Sequence, residues 1–135
     1  MKKLVVKAVA ENIPTVTDFV DKILEEHSCD MKAKIQINIA IDEILANISQ
    51  YAYETDDGEV SVSVQVMDAP KRAIITFVDS GVPYNPITKE DPDTSLSAEE
   101  RKIGGLGIFM VKKSMNDMSY EYVNNCNVLK ITKNI

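Results

Sequence analysis

The 135-residue sequence holds only two cysteines, Cys29 and Cys126, and one histidine, His27. That scarcity excludes a disulfide framework and a Cys/His metal cluster, so both thiols are read as ordinary ones. Long apolar runs are missing too, and no window approaches the roughly 18 residues of a membrane span. The amino terminus alternates Leu4, Val6 and Ala8 behind Lys2-Lys3, without the apolar core or cleavage site of a signal peptide. A cytoplasmic chain is expected. Positive charge is also short: 15 basic residues stand against 21 acidic ones, a net charge of −6. Such a field repels nucleic-acid phosphates and anionic membranes, so neither is an expected partner.

What is present is the balance of one globular domain over residues 1–135, with 44% hydrophobic and 27% charged residues. Leu4 to Val9 reads as a first strand. Val16, Phe19, Val20, Ile23 and Leu24 then recur at helical spacing behind Pro14. Asp30 is the N-cap expected for a longer helix, to about Tyr53, in which Ile37, Ile41, Ile44 and Ile48 form one stripe. Val60, Val62, Val64 and Val66 alternate with polar residues as a half-buried strand. Ala73 to Val78 is nearly continuous in apolar residues and predicts a central strand. From Ser80 to Ile103 prolines break every period, so this long stretch is read as a functional loop. Ile108, Val111, Met115 and Met118 mark a last helix, followed by strands over Tyr120 to Val123 and Val128 to Thr132, joined across Asn124-Asn125. The economical architecture is α+β: a two-layer sandwich with helices on one face of a mixed, largely antiparallel sheet.

Three groups of residues have chemical potential. Glu43 and Asn47 are neighbours on one helical face, on the shoulder of the isoleucine stripe. A half-buried carboxylate there can act as a general base, and an amide oxygen can hold a hard cation such as Mg²⁺. Taken alone, the pair reads first as a polar boundary and a solvated residue. Asp79-Ser80-Gly81-Val82-Pro83 closes the apolar strand. An acid at a strand end can accept a hydrogen bond from an exocyclic amine, although Asp-Ser-Gly is also simple turn chemistry. Gly104-Gly105-Leu106-Gly107 precedes a helix, where backbone N–H groups and the helix dipole suit phosphates; the plainer reading is a hinge. No Gly-Lys-Ser/Thr follows, so it is not a P-loop, and no tight strand-to-helix turn precedes it.

In this order the three groups resemble the ATP-binding superfamily shared by gyrase, histidine kinases and MutL. Within it the chain is most similar to the stand-alone anti-sigma-factor serine/threonine kinases of bacteria. The stretches that carry the resemblance are Ile39 to Asn47 with Tyr51-Ala52-Tyr53, Val78 to Pro86, and Gly104 to Val111. It implies a Bergerat-type ATP-binding fold with an ATP lid over about 82–103. It also implies that Asn47 coordinates Mg²⁺, that Glu43 is the base for the acceptor hydroxyl, that Asp79 reads the adenine amine and that Gly81 lies against the adenine. Gly104, Gly105, Leu106 and Gly107 would bind the nucleotide, with Gly105 and Gly107 letting the lid and the following helix wrap the phosphates. Arg101 and Lys102 would add positive charge or remain solvated.

The implied activity is ATP-dependent phosphorylation of a serine on a STAS-type anti-anti-sigma partner, together with sequestration of a sigma factor and a homodimeric state. The alternative is a non-catalytic module whose partner affinity is switched by ATP or ADP. A histidine kinase fragment is disfavoured, because no helix carries a phosphoacceptor histidine and His27 lacks that setting. The chain departs from the family at Tyr51, where such kinases carry histidine. It also has no certain counterpart of the threonine that supports the adenine aspartate, for which Asn127 and Thr132 are both candidates.

Overall fold

The computed structural model describes residues 1–53, 58–88 and 105–135. Chain order is β1 (Lys2–Lys7), α1 (Ile13–Glu26), α2 (Met31–Tyr51), β2 (Glu59–Met67), β3 (Arg72–Asp79), α3 (Gly105–Ser114), β4 (Asp117–Val123) and β5 (Cys126–Asn134). The strands form one sheet in the order β1-β2-β3-β5-β4, and every neighbouring pair is antiparallel. The largely antiparallel sheet expected from the sequence is therefore antiparallel throughout these five strands.

The helices cover one face of that sheet. Val60, Val62 and Val64 of β2, Ala73, Ile75 and Phe77 of β3, and Leu129 and Ile131 of β5 all point inward. They meet Val16, Val20 and Leu24 of α1 and Ile37, Ile41 and Ile44 of α2 in a single core. Each such fully buried side chain contributes about 1.5–3 kcal/mol of transfer free energy. β3 is central, as its apolar run suggests, but Ile74, Thr76 and Val78 on its other face are only half-buried. Asp30 caps α2 as expected, its Oδ1 accepting from the Ala33 N–H at 2.7 Å. The two long helices are tied by Asn38 Nδ2, which donates to Asp21 Oδ1 at 2.8 Å, and by the Lys34–Glu25 ion pair at 2.8 Å.

Several boundaries differ from the sequence expectation. β1 ends at Lys7, and residues Ala10–Asn12 form a 3-10 turn that leads into α1. Met118 lies in β4 and not on the last helix. α3 stops at Ser114 because Asn116 N–H already pairs with the Thr132 carbonyl at 2.9 Å, starting the β4–β5 ladder. α2 ends at Tyr51. The β4–β5 hairpin turns on Asn124 and Asn125, both left-handed with φ of 54° and 62°, as a two-residue turn of this type requires. Cys29 and Cys126 are free thiols, and burial pushes the Cys29 thiol up, away from reactivity. Among the described residues no helix is long and apolar enough to cross a membrane.

Candidate active site

A cleft with about 420 Å³ of empty space, open mouth included, lies between the C-terminal half of α2, the end of β3 and the loop after it. Ile44, Ile48, Ile108 and Leu129 give it apolar walls, while Asn47, Asp79 and Asn127 put polar groups into it. Alternation along β3 turns Asp79 inward with Ile75 and Phe77, leaving it 6% exposed. A buried carboxylate needs donors. Asp79 Oδ1 accepts from the Gly81 N–H and from Asn127 Nδ2, both at 2.9 Å.

Asn127 stands directly opposite Asp79 in the β3–β5 register, which decides between the two candidates for its supporting residue. Thr132 pairs with Ile74 on the other face and is remote from the cleft. Asn127 is 5% exposed and fully engaged. Its Nδ2 also donates to the Val82 carbonyl at 2.9 Å, and its Oδ1 accepts from the Tyr84 N–H at 3.0 Å and from the Tyr120 hydroxyl. Sequence reasoning missed Tyr120 and Tyr84. Strand parity was the available signal for Asn127, since it shares its face of β5 with Leu129 and Ile131.

Gly81 is required by the packing of the protein itself. A Cβ there would be driven into the backbone carbonyl of Ala52, and Ala52 O accepts from the Val82 N–H at 2.8 Å. The glycine lets the loop seat on the end of α2. Tyr53 fastens the same corner: its hydroxyl accepts from the Ser80 N–H at 2.8 Å and donates to the Glu59 carbonyl at 2.7 Å. Tyr51, at the position that departs from the family, lies 6.0 Å from Tyr84 between ring centroids, and both line the cleft. Burial pushes the Tyr84 hydroxyl above its usual range, with Tyr51 adding to the shift.

Glu43 and Asn47 occupy the same side of α2, half-buried and one turn apart. Asn47 lines the cleft, and its Nδ2 is buried with no hydrogen-bond partner. A buried donor without a partner is costly, and an acceptor atom of a ligand, such as a phosphate oxygen, would satisfy it. Glu43 faces the first turn of α3, where a Cβ at Gly107 would fall on its carboxylate. α3 begins at Gly105 and continues through Leu106 and Gly107. Gly104, Arg101, Lys102 and the lid segment 89–104 lie outside the described residues. The described start of the expected lid, from Val82, runs to a 3-10 turn at Pro86–Thr88.

No group of three or more His, Cys, Asp or Glu among the described residues could hold a metal ion. A magnesium site here would therefore rest on the Asn47 side-chain oxygen, with ligands from substrate phosphates and water. That donor set fits a hard cation that uses few protein ligands.

The profile of the histidine kinase-like ATPase domain matches residues 6–133. The serine-protein kinase RsbW of Bacillus mycoides is 32% identical over 97 residues, covering 69% of this chain and 59% of the relative. Its counterpart from Listeria monocytogenes is 27% identical over 91 residues, 64% of this chain and 57% of the relative. The matched part thus spans less than two thirds of these relatives. Among solved structures, the RsbU and RsbW domains of Rv1364c from Mycobacterium tuberculosis superpose with a TM-score of 0.64 at 15% identity, over 98% of this chain and 32% of that one. The catalytic domain of histidine kinase ThkA gives 0.54 at 13% identity, over 99% and 97% of the two chains. These structures share the fold, and the profile match over nearly the whole length places the chain in the histidine kinase-like ATPase domain family.

Proposed function

We propose that this chain is an ATP-dependent serine/threonine protein kinase that phosphorylates a STAS-type anti-anti-sigma protein and also binds a sigma factor. The observation that carries the reading is the orphaned Asn47 amide in a cleft whose other polar end is Asp79. Relatives named serine-protein kinase support the choice of a protein hydroxyl as acceptor. In this reading the chain works in the cytoplasm with its partners and forms a homodimer.

The chemistry follows from placement. Asp79 accepts a hydrogen bond from the adenine amine, and the apolar walls hold the ring. The N–H groups at the start of α3 donate to phosphate oxygens. Asn47 would hold Mg²⁺, which when bound neutralises phosphate charge and aligns the transferred group. Glu43, one turn away, takes the proton of the incoming serine hydroxyl as that oxygen bonds to the γ-phosphorus, and the bond from that phosphorus to the bridging oxygen breaks with ADP as the leaving group.

Titration calorimetry with ATP, with and without Mg²⁺, tests the nucleotide step; no binding at millimolar ATP sinks the proposal. Transfer of labelled phosphate to a purified STAS-domain protein tests the kinase step. Glu43→Gln should keep ATP binding and lower transfer by roughly 100-fold or more. Undiminished transfer removes Glu43 from the base role. Nucleotide binding that changes partner affinity without transfer by the parent chain selects the switched binding module instead.

A further inference from the structure

We infer that Tyr120, acting through Asn127, sets the base selectivity of the cleft by holding the Asp79 carboxylate in one orientation. The inference rests on the nucleotide reading and adds a positioning residue to it. Asp79 receives both of its described donors on Oδ1, which leaves Oδ2 as the oxygen free to accept from a ligand. A base that brings an amine to that position gains a hydrogen bond to a charged acceptor. A base that brings a carbonyl oxygen there meets like charge and no donor.

That discrimination needs the carboxylate to stay where it is, and Asn127 holds it. An asparagine side chain has nearly the same shape when its amide is rotated by half a turn, so its hydrogen bonds choose the orientation. Here Nδ2 faces acceptors only: Asp79 Oδ1 and the Val82 carbonyl, both at 2.9 Å, and the Gly81 carbonyl at 3.5 Å. Its Oδ1 faces two donors, the Tyr84 N–H at 3.0 Å and the Tyr120 hydroxyl. All of these contacts but one come from the end of β3 and the loop after it. The Tyr120 hydroxyl is the one supplied from β4, pinning the amide to the sheet. Tyr120 is opposite Leu129 in the β4–β5 register, so its ring enters the cleft layer beside Asn127. Burial pushes its hydroxyl above the usual value of 10.0, which keeps it protonated and donating through the neutral range.

The test compares ATP with inosine triphosphate, which carries a carbonyl where adenine has its amine. Dissociation constants for both are measured by calorimetry on the full chain and on Tyr120→Phe, with Thr132→Val as a control on the other face of β5. The parent chain should prefer ATP. In Tyr120→Phe the ATP constant should rise about fivefold while that for inosine triphosphate stays level or falls, so that the ratio narrows. Thr132→Val should keep the parental ratio. A Tyr120→Phe protein that weakens both nucleotides equally, or neither, overturns the inference, because a merely structural role cannot change the ratio. A parent chain without preference for ATP fails earlier, at the assignment of Asp79 to the adenine amine, and takes the relay with it.

Discussion

Gly107 in the first turn of α3 lies against the carboxylate of Glu43, so closely that a Cβ at 107 would fall on Oε2. The obstructed atoms are the far end of a flexible side chain and not backbone, so Gly107→Ala should fold. Its melting temperature should stay near that of the parent chain. The Glu43 carboxylate must move aside, however, and a base displaced by about 1 Å loses on the order of 100-fold in rate. Phosphate transfer and thermal melts measured together check this; full transfer by Gly107→Ala would show that the contact has no part in positioning the base.

Asn47 offers the converse test. Its Nδ2 has no partner in the ligand-free chain, and an unpaired buried donor costs about 1–3 kcal/mol. Alanine is also the better helix former, by roughly 0.7 kcal/mol or less. Asn47→Ala should therefore match or exceed the parent chain in stability to urea while losing the gain in ATP affinity that Mg²⁺ provides. A variant that unfolds more readily would show that the amide is structural.

At Gly81 the obstruction is backbone. The Ala52 carbonyl cannot move away, because it accepts from the Val82 N–H and α2 is held by Tyr53 on the same corner. Gly81→Ala should cost about 1–3 kcal/mol of stability, the usual range for forced overpacking, and should weaken nucleotide binding through the displaced loop. Chemical denaturation reads the first effect and calorimetry the second.

The ion pair between α1 and α2 predicts a pH dependence. Lys34 beside Glu25 holds that carboxyl below its ordinary value of 4.5. The unfolded chain then binds the proton at higher pH than the folded chain does. The stability contributed by the pair is fully present above pH 4.5 and is lost as the pH falls through the lowered folded value. Urea melts of the parent chain and Lys34→Met should differ at pH 7, and the difference should narrow as the pH is lowered below 4.5. The pair is exposed on the Glu25 side, so the difference should also shrink in high salt.

Much of the fold was legible because its signals are local. The isoleucine stripe of α2, the Asp30 cap, the alternating valines of β2 and the paired asparagines of the last hairpin each declare an element within a few residues. Met118 misled for the same reason: it stands three residues after Met115, and a helical period fits both equally well. Only the pairing of Asn116 with Thr132 shows where the helix gives way to a strand. Asn47 and Asp79 in the cleft, and Glu43 one turn before Asn47, could be named from their positions in the sequence, but what each one touches could not.

The sequence by itself determined the elements, their order and the chain positions that bear polar chemistry, since periodicity, caps and turn residues act over a few bonds. The tertiary structure decided which of Asn127 and Thr132 reaches Asp79, a contact between residues 48 positions apart. It also decided that Gly81 makes room for the Ala52 carbonyl and Gly107 for Glu43, and that Tyr120 closes the network. Those outcomes depend on register between strands and on the approach of one backbone to another, which no local pattern encodes.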